Sequence, residues 1–280
     1  MNMAKRPNSK SNLDRAISRF AGNDDIRTNE ISVSLANAIV AQMIGTGVVK
    51  GGSGLKFRYG DKTTRVTKDL DTAWKSDLDS FLKDVGGKLA KGWNGFTGNV
   101  VVLKQASPKG IPFEYVMQPC SVHLQYLGTP WRVVDMEITH NELGDADVFD
   151  EIDVPQDISE LTRYLLLPPI GKIRAMKLEY QVAQKLHGAT ENGSKRAHDL
   201  IDLQLICSQS HLDFKLANKI CRELFRYRRK QPWKTPVVKN ENWDLIYAEQ
   251  KGDLDVLASV DEAIAWANDL ISKIDSAELS

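Results

Sequence analysis

Two spacings of apolar residues divide the chain. In the first half, helix-like and strand-like stretches are mixed. Leu13, Ala16, Ile17 and Phe20 fall on one face of a short amphipathic helix, and Leu35, Ala38, Ile39 and Met43 do the same between Glu30 and Ile44, where Gly45 and Gly47 end the run. Val48-Val49-Lys50 reads as a brief strand, and Leu55 to Tyr59 as a short helix. Asp77 to Lys91 repeats Leu78, Phe81, Leu82, Val85 and Leu89 at helical spacing, although Gly86-Gly87 weakens its middle. Three strand-like runs follow, Asn99 to Lys104, Ser121 to Leu127 and Trp131 to Thr139, separated by turn residues at 107–110 and 128–130. Gly144 to Asp157 is acidic and is expected to be loop.

From Leu178 onward the pattern is helical. Helices are expected over Leu178 to Thr190, Lys195 to Ser208 and His211 to Arg226. Ser259 with Glu262 forms a capping box ahead of a last amphipathic stripe, Ala263, Trp266, Ala267, Leu270 and Ile274. The pattern predicts an α/β (α+β) protein: residues 1–158 with a small mixed sheet, and residues 159–280 as a mainly helical C-terminal domain.

Composition narrows the class. The chain has 280 residues, 42% hydrophobic and 26% charged, which is a globular composition. Lys+Arg and Asp+Glu both total 37, so any contact with nucleic acid has to come from a local patch. The 3 cysteines, at 120, 207 and 221, form no Cys-x-x-Cys pair. They suggest neither a disulfide framework nor zinc, and fit a reducing cytoplasm. No stretch is long and apolar enough to span a membrane, and the basic start lacks the apolar core of a signal peptide.

The candidate chemistry begins at Gly51-Gly52-Ser53. A glycine-rich turn opening a helix exposes N–H groups, which together with the helix dipole favour an anion such as phosphate. Beyond it lie Asp69 and Asp71, which share a face if the segment is a strand. Adjacent carboxylates repel unless a cation lies between them, and Mg2+ is held by one or two carboxylates plus substrate phosphates. Each feature alone is more often structural. In this order they suggest a triphosphate site beside a metal site. Glu137, between Met136 and Ile138, either points to solvent or faces a site; Asp135 and Asp153 are alternatives. In the second half Arg196, Asp199 and Asp202 follow at i, i+3 and i+6, a spacing that surface ion pairs also produce. A basic run from Arg222 to Lys234, interleaved with Tyr227 and Trp233, has the composition of an RNA-binding patch, and equally that of a helix end with a Pro-Trp turn packed on the core.

Gly-Gly-Ser-x-Leu followed by Arg65-x-Thr67-x-Asp69-Leu70-Asp71 resembles the first motif of the AbiEii-type toxins, a nucleotidyltransferase family that includes the MenT toxins. Lys185-Leu186-His187-x-Ala189, then Arg196-x-x-Asp199-Leu200-x-Asp202-Leu203, resembles their second signature. Gly54 departs from the alanine more usual there. The resemblance implies a nucleotidyltransferase core and a Mg2+-dependent transfer of NMP from an NTP to an RNA acceptor, the tRNA 3′ end. It also implies a cognate antitoxin protein as partner. Carried over residue by residue, Asp69, Asp71 and Glu137 would hold Mg2+. Gly51, Gly52, Ser53, Arg65, Lys185, Arg196 and Asp202 would bind the nucleotide, with Asp199 orienting the lysine or acting on the acceptor. Two rivals are nucleotidylation of a protein hydroxyl and a non-catalytic nucleotide- or RNA-binding module on the same scaffold. A pair of mutually repelling acids argues against the module.

Overall fold

A computed structural model of the chain describes residues 5–65, 67–75, 77–107 and 116–277. They form two compact units, one made of residues 1–60 and 68–175, the other of 61–67 and 176–280. The boundary expected after residue 158 falls inside the first unit.

The first unit is built on a seven-stranded mixed sheet. Its strands are β1 (Val48–Val49), β2 (Leu70–Trp74), β3 (Phe96–Val102), β4 (Gln118–Tyr126), β5 (Thr129–His140), β6 (Phe149–Ile152) and β7 (Ile173–Met176), in spatial order β3-β4-β5-β2-β1-β7-β6. β3, β4 and β5 form an antiparallel meander, while β2 lies parallel to β5 and antiparallel to β1. Around the sheet lie α1 (Lys10–Phe20), α2 (Asp25–Ala41), α3 (Gly51–Tyr59), α4 (Leu78–Lys91) and α5 (Gln156–Tyr164). Side chains of Ser9, Asp24 and Asp77 cap α1, α2 and α4 by accepting backbone N–H groups of the first turn.

α2 starts five residues before the expected Glu30, because the Asp24 cap precedes the apolar stripe. Gly86 and Gly87 are accommodated within α4, whose Phe81, Val85 and Leu89 are buried. The stretch expected to be acidic loop contains β6 and leads into α5, and β7 was not foreseen. β6 and β7 have only four residues each, too few for alternation to declare itself.

Aromatic packing holds the meander. The Phe96 ring lies 4.6 Å from Tyr126 and 5.1 Å from Trp131, centroid to centroid. The Tyr126 hydroxyl donates to the Pro7 carbonyl at 2.6 Å, and the Trp131 indole N–H donates to Asp14 at 3.1 Å. Both polar tips are thereby satisfied while the rings stay buried.

The second unit is helical: α6 (Leu178–Thr190), α7 (His198–Gln209), α8 (Phe214–Arg228), α9 (Trp243–Lys251) and α10 (Val260–Ser276), with the short 3-10 turn Asp61–Thr63. The capping box of Ser259 and Glu262 opens α10 as expected, and Asp213 caps α8. α9 was not anticipated. It is fixed by the buried Trp243 and by Tyr247, whose hydroxyl accepts from Gln204 at 3.1 Å and donates to the Leu257 carbonyl at 2.9 Å. Among the described residues no helix is long and apolar enough to cross a membrane. The three cysteines are free thiols.

Phe96→Ala should remove the centre of the aromatic cluster and cost about 3–5 kcal/mol, read as a lower urea midpoint. Val133→Ala, on an exposed position of β5, should change it by less than about 0.5 kcal/mol.

Candidate functional site

The candidate residues fall into two clusters, one in each unit. In the first, β1 runs out at Val49, and α3 begins immediately, with Lys50 as its N-cap residue and Gly51 inside its first turn. The glycines and serine are therefore the first turn of the helix, and no separate turn precedes one starting at Leu55. No side chain caps this end of α3, so its N–H groups keep the polarity that suits an anion.

Ser53 ties the turn to β2. Its hydroxyl accepts from the Asp71 N–H at 3.0 Å and donates to the Lys50 carbonyl at 3.1 Å, and the Lys50 N–H donates to the Asp71 carbonyl at 2.9 Å. The buried Ser53 hydroxyl is thus committed to the fold, and what this residue can offer a phosphate is its backbone N–H. Gly51 has a positive φ of 59°, and a Cβ there would overlap the Asp71 carboxylate. Both requirements select glycine.

The parallel register of β2 and β5 sets Asp71 opposite Glu137. Side chains directly opposite on neighbouring strands share a face, so the two carboxyl groups are brought side by side. Burial, then repulsion from Asp71 and Asp69, raises Glu137 to about 7, with Lys50 partly opposing the rise. Asp69 is exposed and precedes the strand, so it acts on Glu137 at longer range. The alternatives lie elsewhere: Asp135 is exposed and accepts from the Ser121 hydroxyl at 3.1 Å, and Asp153 is exposed and pairs with Lys172 at 3.1 Å. Among the described residues no three His, Cys, Asp or Glu side chains already converge as a metal-ligating set. The Asp71–Glu137 pair nevertheless suits a hard cation: it offers carboxylate oxygens only, and its mutual repulsion is what a divalent ion relieves.

The second cluster is a buried charge network. The Lys185 ammonium on α6 donates to Asp202 at 2.5 Å and Asp199 at 3.3 Å, both on α7. Arg65 donates to the other side of Asp202, its Nε lying 3.0 and 3.2 Å from the two oxygens, and Arg196 donates to Asp199 at 2.5 Å. Lys185, Asp199 and Asp202 are nearly inaccessible, whereas about half of the Arg196 side chain reaches solvent. Burial by itself would raise the Asp199 carboxyl, but Arg196 and Lys185 outweigh it and hold it well below the usual carboxylate range. His198 is lowered, first by burial, so it stays neutral near pH 7. Arg65, Lys185 and Arg196 then face two carboxylates, and the network keeps one net positive charge.

Of the three residues at the i, i+3, i+6 spacing, Asp199 and Asp202 are thus buried, and only Arg196 reaches solvent. The sequence argument missed Gly188. Its missing Cβ makes room for the Arg196 guanidinium and the Asp199 carboxylate. A glycine inside a helix costs about 1 kcal/mol, and that cost was the available signal for a close approach. Of the two readings of the basic run, Trp233 follows the packed one. Its N–H donates to Asp275 at 3.0 Å, and its ring stands edge-on to Phe225 at 5.2 Å.

The chain was compared with known proteins. The family described as "Nucleotidyl transferase AbiEii toxin, Type IV TA system" matches residues 40–269. No curated protein sequence matches. Among solved structures, the nucleotidyltransferase toxin MenT4 from Mycobacterium tuberculosis is similar over 95% of this chain and 99% of its own, at 15% identity and a TM-score of 0.52. JHP933 from Helicobacter pylori is similar over 86% of this chain and 89% of its own, at 17% identity and a TM-score of 0.48. The likeness to MenT4 is one of fold.

Two stability measurements check the clusters. Glu137 has a folded pKa near 7 against 4.5 in the unfolded chain, so its contribution is full below pH 4.5 and is lost as pH rises through 7. In EDTA, Glu137→Gln should therefore match the parent at pH 4.5 and exceed it at pH 8.5 by about 1 kcal/mol, discounted for solvent screening. Adding Mg2+ at pH 8.5 should stabilise the parent and leave the variant unmoved. Lys185→Met leaves Asp199 and Asp202 short of a buried cation and should cost about 3–5 kcal/mol in chemical denaturation. Lys185→Arg should cost clearly less.

Proposed function

The chain belongs to the AbiEii family of nucleotidyltransferase toxins, and from that premise we propose that it transfers a nucleoside monophosphate from an NTP to an RNA acceptor, the 3′ end of tRNA, using Mg2+. A cognate antitoxin protein restrains it in the cytoplasm. The observation that carries this reading is the Asp71–Glu137 pair, held in register beside the uncapped first turn of α3.

Within the first unit, Asp71 and Glu137, with Asp69 nearby, are the residues that would hold the metal. The bound cation would neutralise triphosphate charge and lower the pKa of the attacking hydroxyl. The backbone N–H groups of Gly51, Gly52 and Ser53 would receive phosphate oxygens. Gly51 lets that backbone approach Asp71 without a clash.

In the second unit, Arg196 is the member of the charge network with most access to solvent and is assigned to the nucleotide's phosphates. Lys185 and Asp202 are assigned to positioning, because the ammonium is buried against two carboxylates. Lys185 holds Asp199, which in turn holds Arg196; Asp202 is the counter-ion shared by Lys185 and Arg65.

Purified protein incubated with Mg2+, each α-labelled NTP in turn, and total bacterial RNA and protein should place label on a tRNA-sized band. Asp71→Asn should reduce the label by at least ~100-fold, the loss of a few kcal/mol of transition-state stabilisation, with its melting temperature retained. Label on protein alone would replace the RNA acceptor with a protein hydroxyl. An undiminished signal from folded Asp71→Asn would overturn the metal assignment.

A further inference from the structure

The basic run that the charge network leaves unexplained lies largely on one helix. Lys215, Lys219, Arg222, Arg226 and Arg229 follow at steps of three or four residues along α8 and its C-cap, so they form a single stripe. Between 215 and 229 every exposed position is charged: Lys215, Lys219, Glu223, Arg226 and Arg229. The opposite side of the helix, with Ala217, Ile220, Cys221, Leu224 and Phe225, is buried. Arg222 is spent on Asp275 at 2.6 Å, but Lys215, Lys219, Arg226 and Arg229 hold no acid.

Helix stability does not account for this. Basic residues in the last turn complement the helix dipole, yet Lys215 stands in the first turn, where a cation opposes it; the N-cap Asp213 spends its carboxylate on the Lys215 and Leu216 backbone N–H groups and forms no ion pair with the ammonium. Nor is the stripe the by-product of a basic protein, since the chain's net charge is zero. Four unpaired cations on the outward face of one helix, with no apolar side chain exposed among them, form a surface for a polyanion.

We propose that the exposed face of α8 binds the phosphate backbone of the RNA acceptor. This rests on the reading of RNA as the acceptor and adds where it is held. RNA is favoured over an acidic protein because protein interfaces place apolar and aromatic anchors at their centre, and this face exposes none between 215 and 229. The base-stacking element suggested by Trp233 is absent from the proposal, because that ring is fastened to Asp275 and Phe225. Contacts are then to phosphates, so affinity is insensitive to sequence and steeply dependent on salt.

The test uses the full chain, fluorescently labelled total bacterial tRNA as probe, and the variant Lys215→Gln/Lys219→Gln/Arg226→Gln. Glutamine keeps helix propensity and removes charge. The parent should bind with a salt dependence steeper than the variant's by about two to three units in log K against log salt, close to one per lost phosphate contact. In the label-transfer assay the variant should raise KM for RNA by about tenfold and leave kcat unchanged. Asp71→Asn should bind tRNA like the parent. If the variant melts early, Lys219→Gln alone, expected to lose about one unit of slope, replaces it. An unchanged slope and KM, with label still reaching RNA, overturns the α8 surface and leaves the acceptor reading standing. Label confined to protein overturns the acceptor reading and the surface with it. Stripe-dependent capture of an acidic protein, without RNA binding, overturns the surface alone as an RNA site.

Discussion

Two carboxylates that repel each other are forced together by a backbone that has no other arrangement. Asp71 and Glu137 face one another because β2 and β5 pair in parallel, and a slip of one residue would turn the two groups to opposite sides of the sheet. Much of the first unit serves that register. β1 and the first turn of α3 brace β2 from one side through Lys50 and Ser53, and the aromatic cluster of Phe96, Tyr126 and Trp131 fixes β5 within its meander on the other. The proton that Glu137 keeps near neutrality reflects the free energy stored in this juxtaposition, which a bound cation would release.

The second unit meets the opposite problem, since it carries charges that cannot reach water. Its solution is alternation: Arg65, Asp202, Lys185, Asp199 and Arg196 form a chain of opposite signs that ends in a guanidinium at the surface. A buried ion is tolerable when its neighbours supply both the opposite charge and the hydrogen bonds. Each link orients the next, so the exposed Arg196 inherits its orientation from groups behind it.

Much of this was legible in the sequence where local rules apply. The helical periods of α4, α6 and α8, the capping box of α10 and the strand character of the meander follow from spacing alone. The paired acids were visible as Asp69 and Asp71, and Glu137 as an acid flanked by apolar residues. What spacing could not reveal was partnership across distance. The choice among Glu137, Asp135 and Asp153 is one of register, which belongs to strand pairing and not to any window of residues. The stripe of Arg196, Asp199 and Asp202 looked like an ordinary wet face because its counter-ions, Lys185 and Arg65, lie elsewhere in the sequence. Trp233 stayed between two readings for a related reason: the acid that fastens its indole is Asp275, forty-two residues on.

The parallel pairing of β2 with β5 also sets a schedule. Antiparallel neighbours can zip from a turn, but between these two strands lie α4, β3 and β4. On a ribosome Asp71 emerges long before Glu137, and contacts of such wide sequence separation form late. A growing chain, or one broken off before β5, would carry the Gly-Gly-Ser turn and both aspartates but lack Glu137. Until Glu137, at position 137 of 280, has been made, the nascent chain therefore carries Asp71 without the carboxylate that faces it, and the pair cannot form.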